Sequence, residues 1–253
     1  MIDKELAKEN HEICLQLLDK FLEICEKYQI VYYITEGSAL GALRHKGFIP
    51  WDYNIDVHLD VENYRKLNEA MQKENLGDLR WFRPPFRIIP FFMRKDSLDF
   101  KIRPNIDITI MGNAPDNPVW RWVLMNVAFL NIKMFKLKNT EVKRPFPYNI
   151  LRVITSLFPD SMYFGILHWF EKKNQNEQTK FLMAYTPSFY GNSELIETAW
   201  IGTNPTYGDF EGRKVRIFEN CHEYLTNRYG DYMTPVAWEG KGEYNGCFYE
   251  HKE

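Results

Sequence analysis

Between Tyr32 and Asp60 the chain reads YYITEGSALGALRHKGFIPWDYNIDVHLD, and the periodicity of its apolar residues changes within that run. Val31 to Thr35 are β-branched or aromatic and spell a short strand that ends at Glu36-Gly37-Ser38. Ser38 is placed to cap a short helix through Arg44, which a turn at Gly47 stops. From Asp52 the pattern has period two. Asp52, Asn54, Asp56, His58 and Asp60 fall on one face of a strand, and Tyr53, Ile55, Val57 and Leu59 on the other.

On the N-terminal side, Leu6, Ile13, Leu17, Leu18, Phe21, Leu22 and Cys25 recur near helical spacing, so residues 3–28 are expected to form an amphipathic helix covering a sheet. On the other side, residues 61–75 predict a charged helix, and the β-rich stretches 81–93 and 98–111 follow, with Asp107 inside IDITI. Residues 119–137 and 150–170, rich in Trp, Phe, Leu and Ile, predict helices. A Gly, Pro and Tyr-rich stretch from 185 to 212 is expected to be irregular, and ENCHEYLTNRYG to be helical. This order predicts an α/β (α+β) fold in which a small mixed sheet is flanked by helices. The expected division is a core over residues 1–115 and a mostly helical and irregular part over 116–253, packed on it as one unit.

With 253 residues, 45% of them hydrophobic and 26% charged, the chain can build one sizeable core. A net charge of -2 gives no reason to expect nucleic acid as a partner, because phosphate binders carry a basic excess. The four cysteines form no CxxC pair, which argues against structural zinc, and their scarcity fits a reducing compartment; a Cys221–Cys247 disulfide stays open. Mixed charge from Asp3 onward is unlike a signal peptide, and no apolar run reaches the ~18 residues of a spanning helix. The expected location is the cytoplasm, in solution or at a membrane surface. For residues 119–170 buried helices are the simpler reading, and contact with the membrane interface near a lipid-linked acceptor is the alternative.

Carboxylates spaced by two on a strand share a face and can hold a divalent cation, which phosphoryl and nucleotidyl transfer use to neutralise developing charge. A carboxylate on a neighbouring strand completes such a site. Asp56 and Asp107 suit these roles, with Asp52 further along the same face. The Gly37-Ser38 turn offers backbone N–H groups and a hydroxyl to phosphate oxygens, although most Gly-Ser turns are only turns. Alternation is also what any half-exposed strand shows. Arg44, His45 and Lys46 are either a solvated basic knuckle or an anion contact.

The whole run from 32 to 60, with its Gly-Ser-x-Leu-Gly-Ala turn and helix, Arg-His and Ile-Pro-Trp-Asp before an aspartate-rich strand, closely resembles the signature of the LicD family, which includes the fukutin-related proteins. NIDITI, FEGRKVRI at 210–217 and EYLTNRYGDYM at 223–233 are similar to further parts of it. The resemblance implies a nucleotidyltransferase-like fold. It also implies Mg2+-dependent (or Mn2+-dependent) transfer of phosphocholine or a polyol phosphate from a CDP-linked alcohol donor to a cell-surface or lipid-linked glycan, as in lipopolysaccharide decoration. By that match Gly37 and Ser38, with Arg44 and His45, lie at the nucleotide; Asp56, Asp107 and Asn54 lie at the metal; and Asp52 belongs to the catalytic group. Where the family has Asp-x-Asp, this chain has Asn54-Ile55-Asp56. An amide offers a neutral oxygen and no charge, so a weakened relative that binds nucleotide, glycan or a partner protein is the alternative function. A nucleotidyltransferase acting on RNA or an antibiotic is disfavoured by the missing basic face and by LRHKGFIPWD at 43–52.

Overall fold

The structure is a computed structural model, and it describes residues 4–97, 103–140, 148–173, 178–187 and 195–235. A mixed sheet forms its centre. Strand β2 (Asn54–Asp60) lies parallel to β5 (Asn105–Ala114), and β1 (Tyr33–Ile34) adds antiparallel to the outer edge of β2. The other edge of β5 is shared. Its first residues pair with β4 (Phe91–Arg94), which carries β3 (Leu79–Phe82), and its last four pair with β6 (Phe181–Ala184), which carries β7 (Leu195–Glu197).

The register of β2 on β5 sorts the residues of both strands. Ile55, Val57 and Leu59 stand opposite Ile106, Ile108 and Ile110, all buried, so one face is an unbroken aliphatic surface. Helix α1 (Lys4–Lys27) covers this sheet with Ile13, Leu17, Phe21 and Ile24, spaced three and four apart as one stripe of a helix requires. It ends where Gln29 takes φ 53° and Ile30 N–H returns to Cys25 O at 2.8 Å, a Schellman-type stop. Helix α3 (Val61–Lys73) packs beside it, capped by Asp60, whose carboxylate accepts the Asn63 N–H at 2.7 Å. Such a cap contributes about 1 kcal/mol.

Helix α2 (Glu36–Arg44) starts three residues earlier than a Ser38 cap predicts. Thr35 occupies the cap position because its N–H is already tied to Asp56 O at 3.0 Å, and the N–H of Glu36 is taken by the Tyr224 hydroxyl at 3.2 Å. Ser38 is thereby free to serve another group. Prolines at 84, 85 and 90 cut the expected 81–93 strand into β3 and β4, since proline cannot donate to a ladder.

Helix α4 (Pro118–Asn139) forms as expected. The 150–170 segment divides into α5 (Tyr148–Ser156) and α6 (Asp160–Lys173), bent by 83° at the break that contains Pro159. Ordinary buried helices they are not: Trp120 is 62% exposed, Trp122 60% and Leu157 77%. Phe135 is buried and Phe129 half-buried. Among the described residues no single helix is long and apolar enough to cross a membrane.

The 185–212 stretch is not irregular throughout. It contributes β7, the short helix α7 (Thr198–Ile201) and β8 (Thr206–Phe210), which turns through Glu211-Gly212 into β9 (Arg213–Ile217). Both turn residues have positive φ, 48° and 77°, as a two-residue primed hairpin demands. Helix α8 (Cys221–Tyr229) closes the described chain, stopped by Gly230 at φ 66°. Cys14, Cys25 and Cys221 are buried free thiols, and Cys247 lies outside the described residues.

Candidate active site

On the face of the sheet opposite α1, Asp56 of β2 stands in register with Asp107 of β5. Parallel partners point the same way, so the two carboxylates share one face on strands about 4.8 Å apart. Ser38 fixes the strand from below: its Oγ accepts the Asp56 N–H at 2.9 Å. Ser38 is buried, so this bond to Asp56 is what its hydroxyl does in the structure. Asn54, two residues back, donates its amide to Asp56 Oδ1 at 2.9 Å.

Asp52 comes from the loop that leads into β2, and α1 clamps that loop. His11 Nε2 lies 2.6 Å from Asp52 O while its ring stacks on Phe48 at 4.1 Å, and Cys14 Sγ bonds Tyr53 O at 3.1 Å. The Asp52 carboxylate rests against Gly37: a Cβ at that glycine would lie 2.7 Å from Asp52 Oδ2. Gly37 is therefore the residue that lets this acid approach the start of α2. Burial pushes the Asp52 carboxyl up to about 6.

At Asp56 the surroundings work against ionisation. Burial raises its pKa well above the carboxylate range, and the neighbouring charges of Asp52, Asp107 and Glu36 raise it further. Two guanidiniums answer them. Arg87, from the proline-rich connection between β3 and β4, grips Asp107 with two bonds of 2.5 and 3.2 Å. Arg228 of α8 pairs with Glu36, which also accepts the hydroxyls of Tyr224 at 3.0 Å and Tyr229 at 3.1 Å. Glu36 holds this position with φ 53°, and burial pushes its carboxyl upward against the pull of Arg228.

Arg44 and His45 sit elsewhere. They end α2, about 10 Å from Gly37 by helix rise. Arg44 is bonded to Tyr232 O and, through Nε, to His45 Nδ1 at 3.3 Å. Burial and the Arg44 charge hold the His45 ring below its usual pKa. Sequence reading missed Arg87, which no motif marks, and Glu36 and Arg228, which lay inside EGS and EYLTNRYG but carried no spacing that pairs them.

Four carboxylates, Asp52, Asp56, Asp107 and Glu36, against two guanidiniums leave the cluster two negative charges in excess when all are ionised. Oxygen donors with that deficit suit a hard divalent cation. Among the described residues no three acidic, His or Cys side chains converge into a closed metal cage. Mg2+ commonly takes one or two carboxylates, keeps several waters and completes its shell with substrate phosphates, so a pair of carboxylates is the least it would need. Asp56 and Asp107 are the pair able to do this, Asn54 a neutral neighbour.

Residues 29–96 match the family described as LicD/FKTN/FKRP, nucleotidyltransferase domain. The chain is 27% identical over 252 residues to the lipopolysaccharide cholinephosphotransferase LicD of Haemophilus influenzae, a likeness covering 91% of this chain and 92% of that protein. It is also 38% identical over 63 residues to an uncharacterized protein of Rickettsia prowazekii, 24% of each. The family match covers the β1–α2–β2 unit that sets Ser38 beneath Asp56, and the bacterial likeness runs on through Asp107 and beyond, so the chain resembles the LicD family over most of its length.

Proposed function

We propose that the protein is a Mg2+-dependent transferase that moves phosphocholine, or a related polyol phosphate, from a CDP-activated donor to a hydroxyl of a cell-surface glycan. The observation that carries this reading is the in-register pair Asp56–Asp107 on two parallel strands. The relative from Haemophilus influenzae, named as a cholinephosphotransferase acting on lipopolysaccharide, supports the choice of phosphocholine and glycan.

The acceptor oxygen forms a bond to the distal phosphorus of the donor while the bridging P–O bond breaks, and CMP leaves. A divalent ion, when bound, neutralises charge on the phosphates. Asp56 and Asp107 would hold it. The N–H groups of Gly37 and Ser38, which follow the engaged Glu36 N–H, would face the donor phosphates, whose negative charge the helix start favours. Asp52, with its carboxyl near 6, is suited to take the acceptor's proton around neutral pH. Arg87 would have to release Asp107 on loading, and its cation could then meet a donor phosphate.

A second reading, a relative that binds without transferring, draws support from the Asn54–Asp56 bond, which satisfies Asp56 without any ion. Turnover of CDP-choline and CDP-ribitol with and without Mg2+, with Asp56→Asn and Asp107→Asn as controls, separates the two. Mg2+-dependent release of CMP that both variants abolish supports transfer. Saturable nucleotide binding with no release favours the second reading.

A further inference from the structure

We propose that the outer face of α4, α5 and the α5–α6 bend is a docking surface for an anionic lipid bilayer. On α4 the buried residues Leu124, Ala128, Asn131 and Phe135 follow one stripe. The opposite stripe carries Trp122 and Leu130, 60% and 52% exposed, and continues into Lys133 and Lys136. Helix α5 is more extreme. Of its nine residues only Thr155 is buried, while Val153 is 65% exposed and Ile150 49%. A nine-residue helix with one buried side chain has little of its stability from this core, and helices that short are marginal in water on their own. An apolar medium against its outer side supplies what the described core does not.

The tip of the bend presents Leu157 at 77% exposure and Phe158 beside it. Exposed Trp, aliphatic residues and lysines interleaved on short helices are the composition of segments that lie in the headgroup region. Two lysines are set over aromatic rings of this layer, Lys133 over Phe129 at 5.1 Å and Lys173 over Trp169 at 4.6 Å.

Charge decides the occupant. Residues 118–173 contain nine Lys or Arg against three Asp or Glu, although the whole chain carries -2. A basic, apolar face complements an anionic membrane surface. A symmetric pairing of two copies through the same face would instead set two basic layers against each other.

The layer also adjoins the candidate site. Arg83 lies over the Phe164 ring of α6 at 4.8 Å and donates to Arg87 O at 3.4 Å, and Arg87 is the residue that grips Asp107. A bilayer seated on α4 to α6 would keep the site beside the membrane surface. The proposal itself depends on neither donor nor metal.

The test is flotation of the full chain with vesicles of phosphatidylcholine alone, or of phosphatidylcholine and phosphatidylglycerol in equal parts, at low and high salt. The full chain should bind the phosphatidylglycerol vesicles and lose binding as salt rises. The double variant Val153→Glu/Leu157→Glu should bind about tenfold more weakly or worse, with Tm and oligomeric state unchanged, because both side chains are solvent-exposed. Lys133→Glu/Lys136→Glu should remove the preference for phosphatidylglycerol. No binding by the full chain, or undiminished binding by Val153→Glu/Leu157→Glu, overturns the proposal. So would concentration-dependent dimerisation that the double variant abolishes, which would give the face to a second copy.

Discussion

The Asn54 amide donates to the Asp56 carboxylate across 2.9 Å, so this residue is bonded to the very group that an aspartate at its position would repel. Asn54→Asp should therefore lower stability without a divalent ion, by about 1–2 kcal/mol from the lost bond and the added like charge. Mg2+ should reverse the loss, and its melting shift should exceed that of the natural chain. If both proteins respond equally to Mg2+, Asn54 lies outside the ion's reach.

Arg87 occupies the Asp107 carboxylate that an incoming cation would need. Removing its charge by Arg87→Met should tighten divalent binding several-fold, since a competing cation disappears. The same change should cost about 1–3 kcal/mol in metal-free protein, as breaking a partly buried charged bond does. Calorimetric titration with Mg2+ or Mn2+ reads both. Unchanged or weaker affinity would mean that Asp107 is not a ligand.

Gly41 faces the loop that returns from α2, and a Cβ there would sit 2.3 Å from Gly47 O. A backbone oxygen cannot step aside as a side-chain tip can, so Gly41→Ala should destabilise by about 1–3 kcal/mol or more. Gly212→Ala meets open space and tests a different cost, that of a positive φ alone. Denaturant melts should rank Gly41→Ala the worse, and the reverse order would mean that the loop moves easily.

His58 is buried beside Asp56, hydrogen-bonded to the Thr35 hydroxyl, and burial lowers its pKa to about 3. In the unfolded chain the ring takes a proton near 6.5. Between those values the unfolded state binds more protons, so stability falls as pH drops from about 6.5 toward 3, by up to about 1.4 kcal/mol per unit. His58→Gln should flatten that slope. Parallel pH curves for the two proteins would rule the ring out as its source.

The central unit was legible because its signals are local. The β2 alternation and the isoleucines of IDITI match across a parallel pair, and an acid flanked by those apolar residues on a strand must point to the opposite face. What the sequence did not show depends on distant partners. Ser38 looked like a cap because capping is a local habit, yet the Asp56 N–H claims its oxygen. Arg87 follows two prolines and resembles loop residues anywhere; only the register of β4 on β5 brings it to Asp107. The hydrophobicity of 119–170 was plain, but not its direction, because composition does not say which side of a helix finds cover.

The entry to α2 has a consequence for the order in which the protein is made. Glu36 is 188 residues from the Tyr224 hydroxyl that takes its N–H, and its carboxylate is paired with Arg228 of the same late helix. A growing chain thus carries Asp52, Asp56 and Asp107 long before it carries the residues that seat α2 behind them. Until α8 has been synthesised, the nascent protein holds every candidate ligand on an unfinished scaffold, with its basic, apolar helices already made. Completion of the site waits on the synthesis of α8, and a fragment released before it would expose the sticky layer without the chemistry.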